Sequence, residues 1–169
     1  MEWLYTTSLG KPKSINTCEI LAAHFVGIIE NMLKEFNEGH LLFDNYSVEN
    51  SLKAMIRRKR SGNVKPVVFH VKDTTSIANI NMKQFLSRTK TKAKLTVYLA
   101  EKCCQDKSKT FIVTSQEKVM SNGRPVQHLE TTQEEADRRL LLHAVDATQY
   151  GAQVLHIFSQ SPKTQMFWF

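Results

Sequence analysis

Asp44 closes the apolar run His40-Leu41-Leu42-Phe43, and three more carboxylates, Glu134, Glu135 and Asp137, crowd the start of a Leu-rich helix far downstream. Carboxylates that converge beside cations are what a chain needs to hold Mg²⁺ or Mn²⁺ against a nucleic-acid phosphate. The cations follow Asp44 directly. Lys53, Arg57 and Arg60 stand at i, i+4 and i+7 and share one helix face, with Arg58 on its flank. Each group also has an ordinary reading. Asp before Asn suits a turn, acids in a first helical turn answer the macrodipole, and a basic stripe is commonly just solvated. The functional reading requires that the acid ending an early strand and the acids heading a late helix share one crevice.

That crevice needs a framework. The chain has 169 residues, 41% of them apolar, which suits one domain with a sizeable core. A formal charge of +7 predicts attraction to polyanions, DNA or RNA among them, though many basic proteins bind none specifically. Three cysteines, two of them adjacent, and no zinc-type His/Cys spacing predict reduced thiols and an intracellular protein, in the nucleus or the cytoplasm. The six histidines are scattered and read as structural or surface residues. The longest apolar run, Ile20 to Ile29, is too short to span a bilayer, and the N-terminus lacks the pattern of a signal peptide. No membrane association is expected.

Asn16-Thr17-Cys18-Glu19 fits a capping box, and apolar residues from Leu21 to Phe36 recur at helical spacing, with Gly39 as the stop. A buried strand over 40–44 leads to a helix ending near Arg60, then a strand over Val67–Val71. Residues 81–104 read as two helical pieces, and Phe111-Ile112-Val113 as a strand. Asn122-Gly123 reads as a two-residue hairpin turn. A helix over about 132–150 and a strand over Val154–Phe158 complete the pattern, with Pro162 blocking continuation of that strand. Alternating helices and strands predict an α/β fold with a largely parallel central sheet flanked by helices, plus a small hairpin. The ending Phe167-Trp168-Phe169 suggests a single domain, 1–169, cut short at its C-terminus, with three exposed aromatics available to a protein partner.

Phe43-Asp44-Asn45-Tyr46, Ser51-Leu52-Lys53 and Arg57-Arg58-Lys59-Arg60 resemble the corresponding run of PIN-like nucleases, in particular the flap-endonuclease-like branch with its uncharacterised, often transposon-associated animal proteins. The helix Glu134-Glu135-Ala136-Asp137-Arg138-Arg139-Leu140-Leu141-Leu142-His143-Ala144 resembles that branch's acidic helix. The resemblance implies a PIN-like domain in which Asp44, Glu135 and Asp137 are catalytic and bind metal, with Glu134 beside them. Lys53 and Arg57 would steer the phosphate. It also implies phosphodiester hydrolysis by a water activated between divalent ions. Two departures cut against this. Lys163 and Gln165 stand where the branch has later aspartates, and its first-strand aspartate has no match, Glu2 being the nearest acid. An ammonium in place of a carboxylate repels any cation within about 10 Å. The resemblance with its departures implies a pseudoenzyme that binds nucleic acid, with Mg²⁺ or Mn²⁺ at low occupancy and weak or absent hydrolysis. An active metal-dependent nuclease and a non-catalytic protein-interaction module are the alternatives.

Overall fold

The computed structural model describes residues 14–46, 69–86, 89–105, 109–132, 136–161 and 164–168. Helix α1, Cys18–Met32, begins one residue later than the capping box predicts. Thr17 is the N-cap, and its hydroxyl accepts from the Ile20 amide at 3.3 Å. Leu21, Phe25 and Ile29 form its buried stripe, as the helical period requires. Gly39 does not stop this helix. The chain turns earlier, where Lys109 Nζ donates to the carbonyls of Lys34 and Phe36, and Gly39 lies inside strand β1, Glu38–Phe43.

Helices α2, Met82–Phe85, and α3, Thr89–Gln105, follow as the two expected pieces. Strands β2, Thr110–Ser115, and β3, Lys118–Ser121, come next, then a 3₁₀ turn at Gln127–Leu129 and helix α4, Ala136–Gln149. Strands β4, His156–Ser161, and β5, Thr164–Trp168, end the described chain. Of the expected strand at 67–71, Phe69 to Val71 is irregular, and the rest lies outside the described residues. The helix expected up to Arg60 also lies outside them.

The architecture is α/β, but the sheet is mixed rather than largely parallel. Its order is β3-β2-β1-β5-β4, and only the β1–β2 pairing is parallel. The reason is that both outer connections are hairpins, which reverse direction, rather than helical crossovers. Strands β1, β2 and β4 still point the same way. The backbone of Phe167 and Trp168 belongs to β5, paired to β1 on one side and β4 on the other.

Alternation along the strands sorts the side chains onto two faces. Leu41, Phe43, Phe111 and Val113 join the large core under α1 and α3. Leu42 packs instead with Ala147 of α4. β1 is therefore buried on both faces, which is why it reads as a continuous apolar run.

The expected hairpin turn also moves. β2 and β3 are joined through Gln116 and Glu117, with Gln116 in the left-handed region at φ 57°. Asn122 instead ties the two strands below the ladder, accepting from the Phe111 amide and donating to the Lys109 carbonyl, each at 2.8 Å. Gly123 beside it approaches so closely that an added Cβ would lie 2.6 Å from Thr110 Cγ2, whereas Gly27 in α1 has open space. Gly123→Ala should therefore destabilise the fold by about 1–3 kcal/mol through overpacking. Gly27→Ala should stabilise it by about 0.5–1 kcal/mol through helix propensity. Urea unfolding of the two variants checks both signs, and shifts in the same direction would contradict this placement.

Candidate functional site at the carboxyl edge of the sheet

Ligands of open α/β sheets bind outside the carboxyl ends of the parallel strands, where helix N-termini converge. Here that edge is built by β1, β2, α3 and α4. Asp44 is the first residue beyond β1 and is half-buried. Tyr46 follows, its amide donating to Gln116 Oε1 at 3.0 Å. Gln116 in turn donates to Thr96 Oγ1 at 3.0 Å and to the Ala93 carbonyl at 3.4 Å, which locks the β2–β3 turn to the first half of α3. Lys92 lies 5.8 Å from the Tyr46 ring centroid, a cation–π distance. The Ser115 hydroxyl, at the end of β2, is buried with no hydrogen-bond partner among the described residues.

Helix α4 reaches the same edge from the other face. Arg139 is fully buried and donates from Nη1 to the Phe43 carbonyl at 3.3 Å. Burial pulls its pKa down, while the charges of Asp44 and Glu117 act in the opposite sense. The first turn of α4, which includes Asp137, therefore stands over the end of β1. By register, Thr164 and Gln165 of β5 pair with Phe43 and Leu42, so the backbone of that strand also begins at this edge.

Of the residues predicted for the site, Asp44 is at the edge and Asp137 is in the α4 turn beside it by its backbone. Glu134, Glu135, Lys53, Arg57, Arg58, Arg60, Lys163 and Glu2 lie outside the described residues. Among the described residues no three His, Cys, Asp or Glu side chains group to hold a metal. Asp44 already has a guanidinium as its electrostatic neighbour. A divalent ion needs several oxygen ligands, and of the four predicted carboxylates the structure describes the side chain of Asp44 alone. Compared with known protein families, curated proteins and solved structures, the chain matches none. Among the described residues no helix is long and apolar enough to cross a membrane.

Sequence reasoning missed a second feature, a buried polar seam under α4. Arg139, His143 and Asp146 stand at i, i+4 and i+7 and are all buried, while Leu141 and Val145 on the outer face are 70% and 55% exposed. Three of the six scattered histidines, His40, His128 and His143, belong to it. His40 Nδ1 and His143 Nδ1 are 2.8 Å apart, His40 Nε2 is 2.9 Å from Glu38 Oε1, and Thr114 Oγ1 is 2.9 Å from His143 Nε2. The chemistry fixes the tautomers. A carboxylate only accepts, so neutral His40 carries its proton on Nε2 and accepts at Nδ1. His143 then donates from Nδ1 and accepts the Thr114 hydroxyl proton at Nε2. Arg124 continues the seam by bridging Glu38 and Asp146, and His128 donates to Asp146 from the surface side. The Arg124 guanidinium also stacks 3.8 Å from the Tyr150 ring centroid. The i, i+4, i+7 spacing of three polar residues was the signal available in the sequence.

These environments set the protonation states. Burial, then the neighbouring His40, pulls His143 down to about 3. Burial also lowers His40, against the pull of Glu38. Burial alone would raise Glu38 and Asp146. Hydrogen bonds from His40 and Arg124 to the first, and from Arg124 and His128 to the second, hold both below the usual range.

A histidine whose folded pKa is depressed binds its proton in the unfolded chain first, so stability is lost as pH falls below the unfolded value near 6.5. The two carboxylates lose stability in the same direction, but only at lower pH. The unfolding free energy from urea titrations should therefore begin to drop between pH 6.5 and 5, by up to about 1.4 kcal/mol per pH unit for each histidine. A value flat down to pH 4.5 would contradict the neutral pair.

Proposed function

We propose that the protein is a PIN-like, nuclease-fold protein that binds nucleic acid at the carboxyl edge, with weak or absent metal-dependent hydrolysis. The observation that carries this reading is the convergence of Asp44, the first turn of α4 and the basic first half of α3 at one edge. That half-helix contains Lys90, Lys92 and Lys94 and no acid in its first turn. The stretch with Lys53, Arg57, Arg58 and Arg60 follows Tyr46 in the sequence and lies outside the described residues. Cations at this edge would hold phosphates, which position a strand without reading its sequence.

Hydrolysis is the weaker part for an electrostatic reason. A productive metal clamp stabilises both attacking and leaving oxygens and needs several carboxylates. Arg139 beside Asp44, and Lys163 and Gln165 in place of acids, each oppose such a clamp. If Mg²⁺ or Mn²⁺ binds, Asp44, Glu134, Glu135 and Asp137 would hold it.

Fluorescence anisotropy with a single-stranded oligonucleotide tests the binding. Affinity should fall with added KCl, and replacing Lys53, Arg57, Arg58 and Arg60 with Ala should flatten the log–log slope by about 0.7 per lost phosphate contact. An affinity indifferent to salt would sink the proposal. Incubation with Mn²⁺ should give no cleavage above background. Cleavage that Asp137→Asn abolishes would establish a working nuclease instead.

One observation favours a second reading, a protein-interaction module. The outward face of α4 exposes Leu141, Leu142 and Val145, and Val154 and Ile157 are more than half exposed nearby in the chain. An apolar row of this kind marks a surface that another protein covers. On that reading Leu141→Lys with Val145→Lys lowers the sedimentation coefficient of the purified protein, whereas a monomer unchanged by the pair removes the support.

A further inference from the structure

A cleft of about 480 Å³ separates residues 70–72 from one side of α3. Lys94, Val97, Tyr98 and Glu101 stand at i, i+3, i+4 and i+7 and line it from the helix, while His70, Val71 and Lys72 form the opposite wall. Its position is set by contacts already described for the carboxyl edge. Gln116, at the end of the cleft, is tied to Tyr46 and to α3. The Phe69 amide donates to Thr91 Oγ1 at 3.4 Å, which holds the incoming segment against the helix.

The chemistry of the lining narrows what could bind. The Tyr98 hydroxyl is committed to Asp73, donating at 2.6 Å, and Lys102 takes the other oxygen of that carboxylate at 3.0 Å. The amide of Gln116 is likewise used. Lys72 and Lys94 are both exposed and have no ion pair among the described residues. The apolar part of the lining is Val71, Ala93 and Val97. Two exposed cations beside an apolar lining match an anionic group attached to a flat, weakly polar body. Glu101 at the far end of the helix stripe disfavours an occupant that is acidic along its whole length. The volume lies within the range of about 300–1,000 Å³ for small-molecule sites, enough for one base and its phosphate but not a duplex.

We infer that this cleft is a nucleotide subsite for a single strand, with the phosphate held by Lys72 and Lys94 and the base laid between Val71 and Val97. The inference rests on the nucleic-acid reading above and adds that the strand is single and that one nucleotide is taken out of its stack. Contact through aliphatic groups is tolerant of sequence, because every base has an apolar face.

The full chain, an oligothymidylate strand and deoxythymidine monophosphate test it. In anisotropy titrations, Lys72→Ala with Lys94→Ala should flatten the salt slope by about 0.7, the value for one phosphate contact. Lys118→Ala, an exposed lysine in β3, should leave the slope unchanged. Val97→Glu should weaken binding at least tenfold without lowering the melting temperature. The mononucleotide should shift the backbone amide resonances of Val71 and Val97. If the wild-type chain binds the strand but the cleft variants behave like Lys118→Ala and those amides do not move, the subsite is wrong and the edge reading stands. If hexaglutamate displaces the mononucleotide equally well, the cleft selects charge alone and the base contact is overturned. If the wild-type chain binds no strand at any salt concentration, both readings fail.

Discussion

The placement of α4 depends on a run of buried polar groups beside the small apolar contact of Leu140 and Ala147 with Leu42. Arg139, His143 and Asp146 face the sheet, and each meets a partner at a fixed position: the Phe43 carbonyl, His40 with Thr114, and Arg124. Leaving a buried polar group without its partner costs about 1–3 kcal/mol, and more for a charge. A slip of α4 by one residue would strand all three at once. An apolar helix face could slide along the sheet at little cost, but this one cannot, so the seam fixes register as well as position.

That constraint carries through to the candidate site. Fixing α4 over β1 places its first turn above Asp44, and it does so from the face opposite α3. The edge is thus closed from both sides, by an acid-headed helix on one and a lysine-rich helix on the other. Gln116 locks the second side with contacts to Tyr46, Ala93 and Thr96. Arg139 therefore joins the stability of the fold to the charge balance at the site, because the guanidinium that anchors α4 is also an electrostatic neighbour of Asp44. The same geometry leaves the apolar side of α4 outermost, with Leu141 and Val145 largely exposed.

Where pattern and packing agree, the chain could be read directly. The apolar period of α1, the two helical pieces ending in α3, and the runs that become β1, β2 and β4 are all visible in the sequence, with boundaries off by a few residues. The failures have specific causes. Asn122-Gly123 looks like a hairpin turn, but Asn122 serves as a side-chain tie between Phe111 and Lys109, and the turn falls at Gln116, whose positive φ no residue-type rule would assign. Gly39 looks like a helix stop and is a strand residue. Phe167 and Trp168 read as aromatics at a cut-short end of the chain, and their backbone is part of an interior strand of the sheet. The histidines looked unrelated because residues 103 positions apart meet only once α4 lies across β1.

Local order and charge were determined by the sequence alone: the helices α1, α3 and α4, the strand that leads to Asp44, and where the lysines of α3 fall. These follow from periodicities of 3.6 and 2 and from residue type, which act over a few positions. Tertiary structure decided the direction of the strands, the inward turn of the polar side of α4 and the meeting of His40 with His143. Those depend on pairing between distant segments and on the cost of burying polar groups unpaired, and no local pattern contains either.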